Sequence, residues 1–261
     1  MRSKNYIIGT LLFAAGIAII VFLGRSLLQD RAHKEMLNGN CKIDQDFVTV
    51  VLIDDTDPII REERNEAEEY IKSLAKDAPR YSRFVLYTLS KATSEKADKP
   101  VPELETCNPF GKKDRADFLK EDKTALKRER SNFLYNIEKI TQNLLNVETK
   151  DFSPIMEGIQ SVAVAEFFHL KSEAERHLLI VSDMLQHTKS FNMYTERQQE
   201  FERFKRKPYY RSLKTKALEN ANVSVFTLTR DTKAQNENIE RFRLFWEEYF
   251  RDQKARPEFV R

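Results

Sequence analysis

Glycine is scarce, at six residues in 261, which excludes a collagen-like repeat and any glycine-rich phosphate loop. Eight prolines are too few for a Pro/Gly low-complexity chain. Two cysteines exclude a disulfide-dense scaffold and a multi-cysteine metal centre. The four histidines, His33, His169, His177 and His187, share no metal-binding spacing on a helix face. No Ser/His/Asp order suggests a hydrolytic triad. Neither sign of charge dominates: 44 Lys+Arg against 41 Asp+Glu leave +3, which excludes a whole-chain polycation. One basic stretch, Arg203 to Arg211, carries aromatics, but it reads as a solvated loop face over buried tyrosines, and no nucleic-acid partner is expected.

What is present begins with an uncharged run from Asn5 to Gly24. At about 1.5 Å per residue a helix of that length crosses about 30 Å of hydrocarbon. A cleaved signal peptide is the rival, but the run is long for one, and Phe22 to Ser26 offers no small-x-small cleavage site. We therefore read residues 1–24 as a transmembrane anchor and 25–44 as a polar stalk. Basic residues flank both ends (Arg2 and Lys4; Arg25, Arg31 and Lys34), so sidedness is nearly balanced. Cys41 stands before the first expected strand and Cys107 in a loop after the second. A Cys41–Cys107 disulfide or two unpaired thiols fit equally from spacing alone, and the former would suit an oxidising compartment. The reading is an N-terminus inside and a C-terminal domain outside the cytoplasm.

From residue 45 to 261 strands alternate with helices. Phe47–Ile53 and His177–Ser182 are continuous apolar runs, as in strands covered on both faces. Arg83–Ser90 and Val223–Thr229 supply two more. Ile59–Ala78 has helical periodicity, with Asp57 as expected N-cap and Pro58 at the first helical position. Residues 91–111 read as loop, 112–150 as a charged helical insertion, Ile155–Leu170 as helix, 186–207 as loop and polar helix, and Arg211–Asn220 as helix. Asn236–Gln253 closes the chain as a helix with Phe242, Phe245, Trp246, Tyr249 and Phe250 on its apolar side. The alternation predicts an α/β domain: a mostly parallel open sheet with helices on both faces.

Two buried strands end in aspartate, Ile53-Asp54 and Ser182-Asp183, and ligands of open parallel sheets sit beyond the strands' carboxyl ends. Thr56 follows Asp54 by two residues, and Ser153 stands at a loop-to-helix start. Carboxylates and hydroxyls alone make a site for a hard cation such as Mg²⁺ or Mn²⁺.

The run Val50-Val-Leu-Ile-Asp54-x-Thr56-x-Pro58 resembles the first metal-site motif of von Willebrand factor A (VWA) domains. Ser153-Pro-Ile-Met-Glu-Gly-Ile159 is similar to that family's threonine loop, and Leu178-Leu-Ile-Val-Ser182-Asp183-Met184 to its strand ending in Thr-Asp-Gly. The resemblance implies Asp54, Thr56, Ser153 and Asp183 as metal-site positions, with Thr56 and Ser153 direct ligands and the aspartates direct or water-mediated. It further implies adhesion or assembly rather than catalysis, the ion accepting an acidic residue of a protein partner. Two positions depart from the family: Pro58 replaces a hydroxyl residue and Met184 a glycine. Asp57 is a candidate replacement ligand. The expected function is thus a membrane-anchored VWA-like protein-binding module. A metal-free scaffold subunit of a membrane complex is the alternative. A phosphohydrolase using Asp54 as nucleophile is a third reading, but it would need an aspartate where Thr56 stands.

Overall fold

The computed structural model describes residues 41, 47–94, 99–111, 123–144, 147–194, 200–229 and 233–261. The expected anchor, all of the stalk but Cys41, and residues 112–122 of the charged segment lie outside the described residues. Among the described residues no helix is long and apolar enough to cross a membrane. The chain divides into two compact units, Met1–Cys41 and Lys42–Arg261, and the elements below belong to the second.

Six strands form one sheet: β1 (Phe47–Ile53), β2 (Arg83–Thr88), β3 (Leu104–Cys107), β4 (Glu175–Ser182), β5 (Asn222–Thr227) and β6 (Arg256–Phe259). Their order is β3-β2-β1-β4-β5-β6. Every pairing is parallel except β2 with β3, so the sheet is mostly parallel with one antiparallel edge. Alternation along β1 sends Val48, Val50 and Leu52 to one core and Val51 and Ile53 to the other. Both faces are therefore sealed, and this is why β1 and β4 read as unbroken apolar runs.

On one face lie α1 (Arg61–Asp77) and α3 (Lys123–Asn143). Helix α1 buries Ala67, Ile71 and Ala75 at a spacing of four, and α3 buries Phe133, Ile137 and Thr141 likewise. The charged segment thus supplies a covering helix with a solvated outer side. On the other face lie α4 (Ile155–Phe167) and α7 (Lys233–Asp252). The expected aromatic side of α7 is core: Phe242, Phe245, Trp246, Tyr249 and Phe250 are all buried. Four shorter elements complete the chain: α2 (Leu89–Ala92), α5 (Phe201–Phe204), α6 (Pro208–Leu213) and a 3₁₀ turn at Lys216–Leu218.

Several boundaries correct the sequence reading. Asp57 does not cap α1: the helix begins at Arg61, after Ile60. The backbone before it is used elsewhere, since the Thr56 carbonyl accepts from Lys150 N and Ile59 N donates to the Leu144 carbonyl. Strand β2 stops at Thr88 and the chain coils into α2. The stretch 91–111 holds β3, and β6 follows α7; both are four-residue, half-exposed strands without an apolar run. Among the described residues of 186–207 the helical part is α5, a single turn that buries Phe201 and Phe204 against α7 instead of a polar helix. The helix expected over Arg211–Asn220 ends at Leu213.

Both cysteines, Cys41 and Cys107, are disulfide-bonded. The bond closes a long loop, which restricts the unfolded chain. Reduction, or the Cys41→Ser/Cys107→Ser pair, is expected to lower stability by about 2–4 kcal/mol, read as the denaturant midpoint of the full chain in detergent. An unchanged midpoint would contradict this role.

Asp252, at the end of α7, ties that helix to the α5–α6 segment. It accepts from Tyr210 Oη at 2.5 Å, Lys205 Nζ at 2.6 Å and Lys214 Nζ at 2.9 Å. Burial raises its pKa, but the three donors outweigh burial and hold it at about 2. A carboxylate depressed in the folded state stabilises fully above its unfolded pKa, near 4, and loses that contribution as pH falls toward 2. Wild type is expected to lose about 1–2 kcal/mol across that window that Asp252→Asn does not lose. Equal acid sensitivity of the two proteins would refute it.

Candidate functional site at the carboxyl edge of the sheet

Strands β1 and β4 are neighbours at the point where the strand order reverses, and their carboxyl ends open a crevice there. Ile53 pairs with Val181, and Asp54 N donates to the Val181 carbonyl at 2.9 Å, so the residues after both strands emerge side by side. Asp54, Thr56, Ser153, Ser182 and Asp183 are all buried there.

A buried carboxylate must be compensated. Asp54 is compensated by four donors from three chain segments. Its Oδ1 accepts from Thr56 N at 3.1 Å and Thr56 Oγ1 at 2.6 Å, an Asx turn closed by a hydroxyl. Its Oδ2 accepts from Ser153 Oγ at 3.2 Å and Ser182 Oγ at 2.8 Å. Ser153 is held in place by a two-way backbone bridge with His187, both bonds 2.9 Å. Just beyond it, Gly158 lets α4 approach α2 closely: a Cβ there would sit 2.3 Å from Leu89 Cδ1.

The loop after β4 is built by short-range bonds. Asp183 Oδ1 accepts from Leu185 N, and Ser182 Oγ accepts from Met184 N, both at 2.9 Å. Met184 has φ +59°, a left-handed conformation that favours glycine. It is locked there because its side chain is buried and its carbonyl accepts the Trp246 indole N–H at 2.7 Å. A non-glycine residue in this region costs on the order of 1 kcal/mol, which these contacts offset. Gln186, fully buried, braces the same loop: its Oε1 accepts from Met156 N, and its Nε2 donates to Glu157 and Tyr209, each at 2.8–2.9 Å. Burial, and next the hydrogen bond to Glu157, push the Tyr209 phenol up, so it remains a donor.

On the outer side, Asp55 accepts from Ser90 N at 2.8 Å and Ser90 Oγ at 2.9 Å, and pairs with Lys150 Nζ at 3.1 Å. Lys150 also donates to Ser90 Oγ. A cleft of about 490 Å³ opens here, lined by Thr56, Ser90, Lys150, Asp151 and Phe152 among others. Phe152 is 44% exposed and packs at a tilt against His187, which in turn packs edgewise with Tyr194.

Of the site residues expected from sequence, Asp54, Thr56 and Ser153 meet through direct hydrogen bonds. Asp183 is buried beside them on the adjoining strand end. Asp57 is half-buried in the same turn. Sequence reasoning missed Ser182, whose position directly before Asp183 was the available signal. It also missed the Asp55–Ser90–Lys150 group, for which no local pattern exists. The donor set, two carboxylates and three hydroxyls, has the oxygen chemistry that a hard divalent ion requires. Among the described residues no three His, Cys, Asp or Glu side chains cluster as a metal site. An ion here would accordingly draw on Thr56, Ser153 and water beside the aspartates. The sequence matches no protein-family model and no curated protein.

Removing the Asp54 carboxylate strands three buried hydroxyls and an amide. Asp54→Ala is expected to cost about 2–4 kcal/mol, and Asp54→Asn clearly less, because rotatable hydroxyls adapt to an amide. Thermal melts of the three proteins decide this; an alanine variant as stable as wild type would refute the central role of the carboxylate.

Proposed function

We propose that the chain is a membrane-anchored, VWA-like protein-binding module whose partner engages the carboxyl edge of the sheet, assisted by Mg²⁺ or Mn²⁺. The observation that carries this reading is the convergence of Thr56, Ser153 and Ser182 on the Asp54 carboxylate at the point of strand-order reversal. Two further features support it. The sheet has six strands, two beyond those legible in the sequence. Met184, standing where the resembled family has glycine, keeps a backbone conformation suited to glycine. Asp54, Thr56, Ser153 and Asp183 would hold the ion, whose chemistry would be to accept one oxygen from an acidic residue of the partner. The protein's own residues orient the hydroxyls and exclude bulk water from the aspartates. Four donors on Asp54 disfavour its use as a nucleophile, since they lower the availability of its lone pairs. A disulfide-bonded domain accords with a location outside the cytoplasm.

Site-specific photo-crosslinking of the full chain in its own membranes tests the reading. A benzophenone side chain at Phe152 or Tyr194, on the carboxyl edge, is expected to capture a discrete protein partner. The same probe at Phe168, exposed beyond the end of α4, is expected to capture none. Capture at Phe168 alone would overturn the assignment of the edge.

A further inference from the structure

Lys150 is the positive side chain built into this edge. Its backbone N–H holds the Thr56 carbonyl at 2.8 Å, and its ammonium is bound to Asp55, the residue next to Asp54. Lys150 therefore joins the loop that carries Thr56 to the loop that carries Ser153, three residues further on. Two of its three ammonium donors go to Asp55 and Ser90. The side chain is 41% exposed and lines the cleft beside Asp55. Acidic groups at this edge, Asp54, Asp55, Asp57, Asp151 and Asp183, outnumber it. A fixed monovalent cation already among them reduces the gain available to a second, divalent one, because like charges within several ångströms repel.

We infer that Lys150 is a resident counter-cation that competes with a divalent ion for the acidic edge and so regulates how readily the ion binds. The inference rests on the ion-assisted reading above and deepens it. With Lys150 seated, Asp55, the carboxylate next to the Asp54 cluster, is neutralised without metal. Binding of the ion then works against the ammonium's charge, and displacement of the ammonium toward a partner's carboxylate would relieve that opposition. The two alternatives drawn from the sequence, ion-assisted and metal-free, become two states of one edge set by where Lys150 sits.

The chain carries a single tryptophan, Trp246, whose indole bonds the residue following Asp183, so its fluorescence reports on the site. The full-length protein in detergent is titrated with MgCl₂ and separately with MnCl₂ at constant ionic strength, as wild type, Lys150→Met and Lys150→Arg. Lys150→Met is expected to bind either ion about tenfold more tightly than wild type, with Lys150→Arg close to wild type. Because affinity is read as a midpoint in ion concentration, a general loss of stability in Lys150→Met does not mimic the result, and a circular dichroism melt verifies that the variant is folded. A response in Lys150→Met with none in wild type also supports the inference. An unchanged or weakened midpoint in Lys150→Met, with wild type responding, overturns the inference and leaves the ion-assisted reading standing. No response in any of the three overturns both.

Discussion

The buried carboxylate of Asp54 is the constraint around which the carboxyl edge is organised. An ionised group taken out of water is tolerated only where donors replace the water. Here the donors come from the turn after β1, from the loop before α4 and from the end of β4. One charge therefore requires three segments, distant in sequence, to meet at one place. The rest of the domain makes that meeting possible. The apolar strands β1 and β4 pair in register to bring their ends level, and Gly158 lets α4 lie close on Leu89. Trp246 on α7 fixes the strained turn at Met184.

Around this centre the polar groups are arranged in layers of decreasing burial. Asp54 and its hydroxyls are sealed; Gln186, Glu157 and Tyr209 brace the loop behind them. Asp55, Ser90 and Lys150 face the cleft. The surface beside them, Phe152, His187 and Tyr194, is partly exposed and aromatic. The Asp252 ion cluster draws on none of these residues.

Much of this is legible in the sequence, and the physical reasons are particular. Strands β1 and β4 are covered on both faces, so their sequences are apolar throughout and end abruptly at aspartate. Asp54, Thr56 and Ser153 could be picked out because each stands at a strand end or helix start, where side-chain oxygens do structural and ligand work. Strands β3 and β6 were not legible: each is a short edge, half-exposed, and β6 contains Pro257, tolerated only because an edge strand leaves backbone donors unused. Asp57-Pro58 looked like a helix start, but the neighbouring loops claim the backbone around it. Lys150 and Ser90 carry no sequence signal at all, since their partnership with Asp55 exists only after the sheet has formed. Phe201 and Phe204 were hidden because a single buried turn flanked by charges has no periodicity to detect.

The most direct test of the account is a thermal melt of the full chain with and without Mg²⁺ or Mn²⁺, beside an Asp54→Ala/Asp183→Ala double variant. An ion that binds only the native state must raise the melting temperature. The account predicts a rise in wild type that grows with ion concentration and vanishes in the double variant. A rise of equal size in the double variant, or none in wild type at any concentration, would contradict a divalent-ion site at the carboxyl edge.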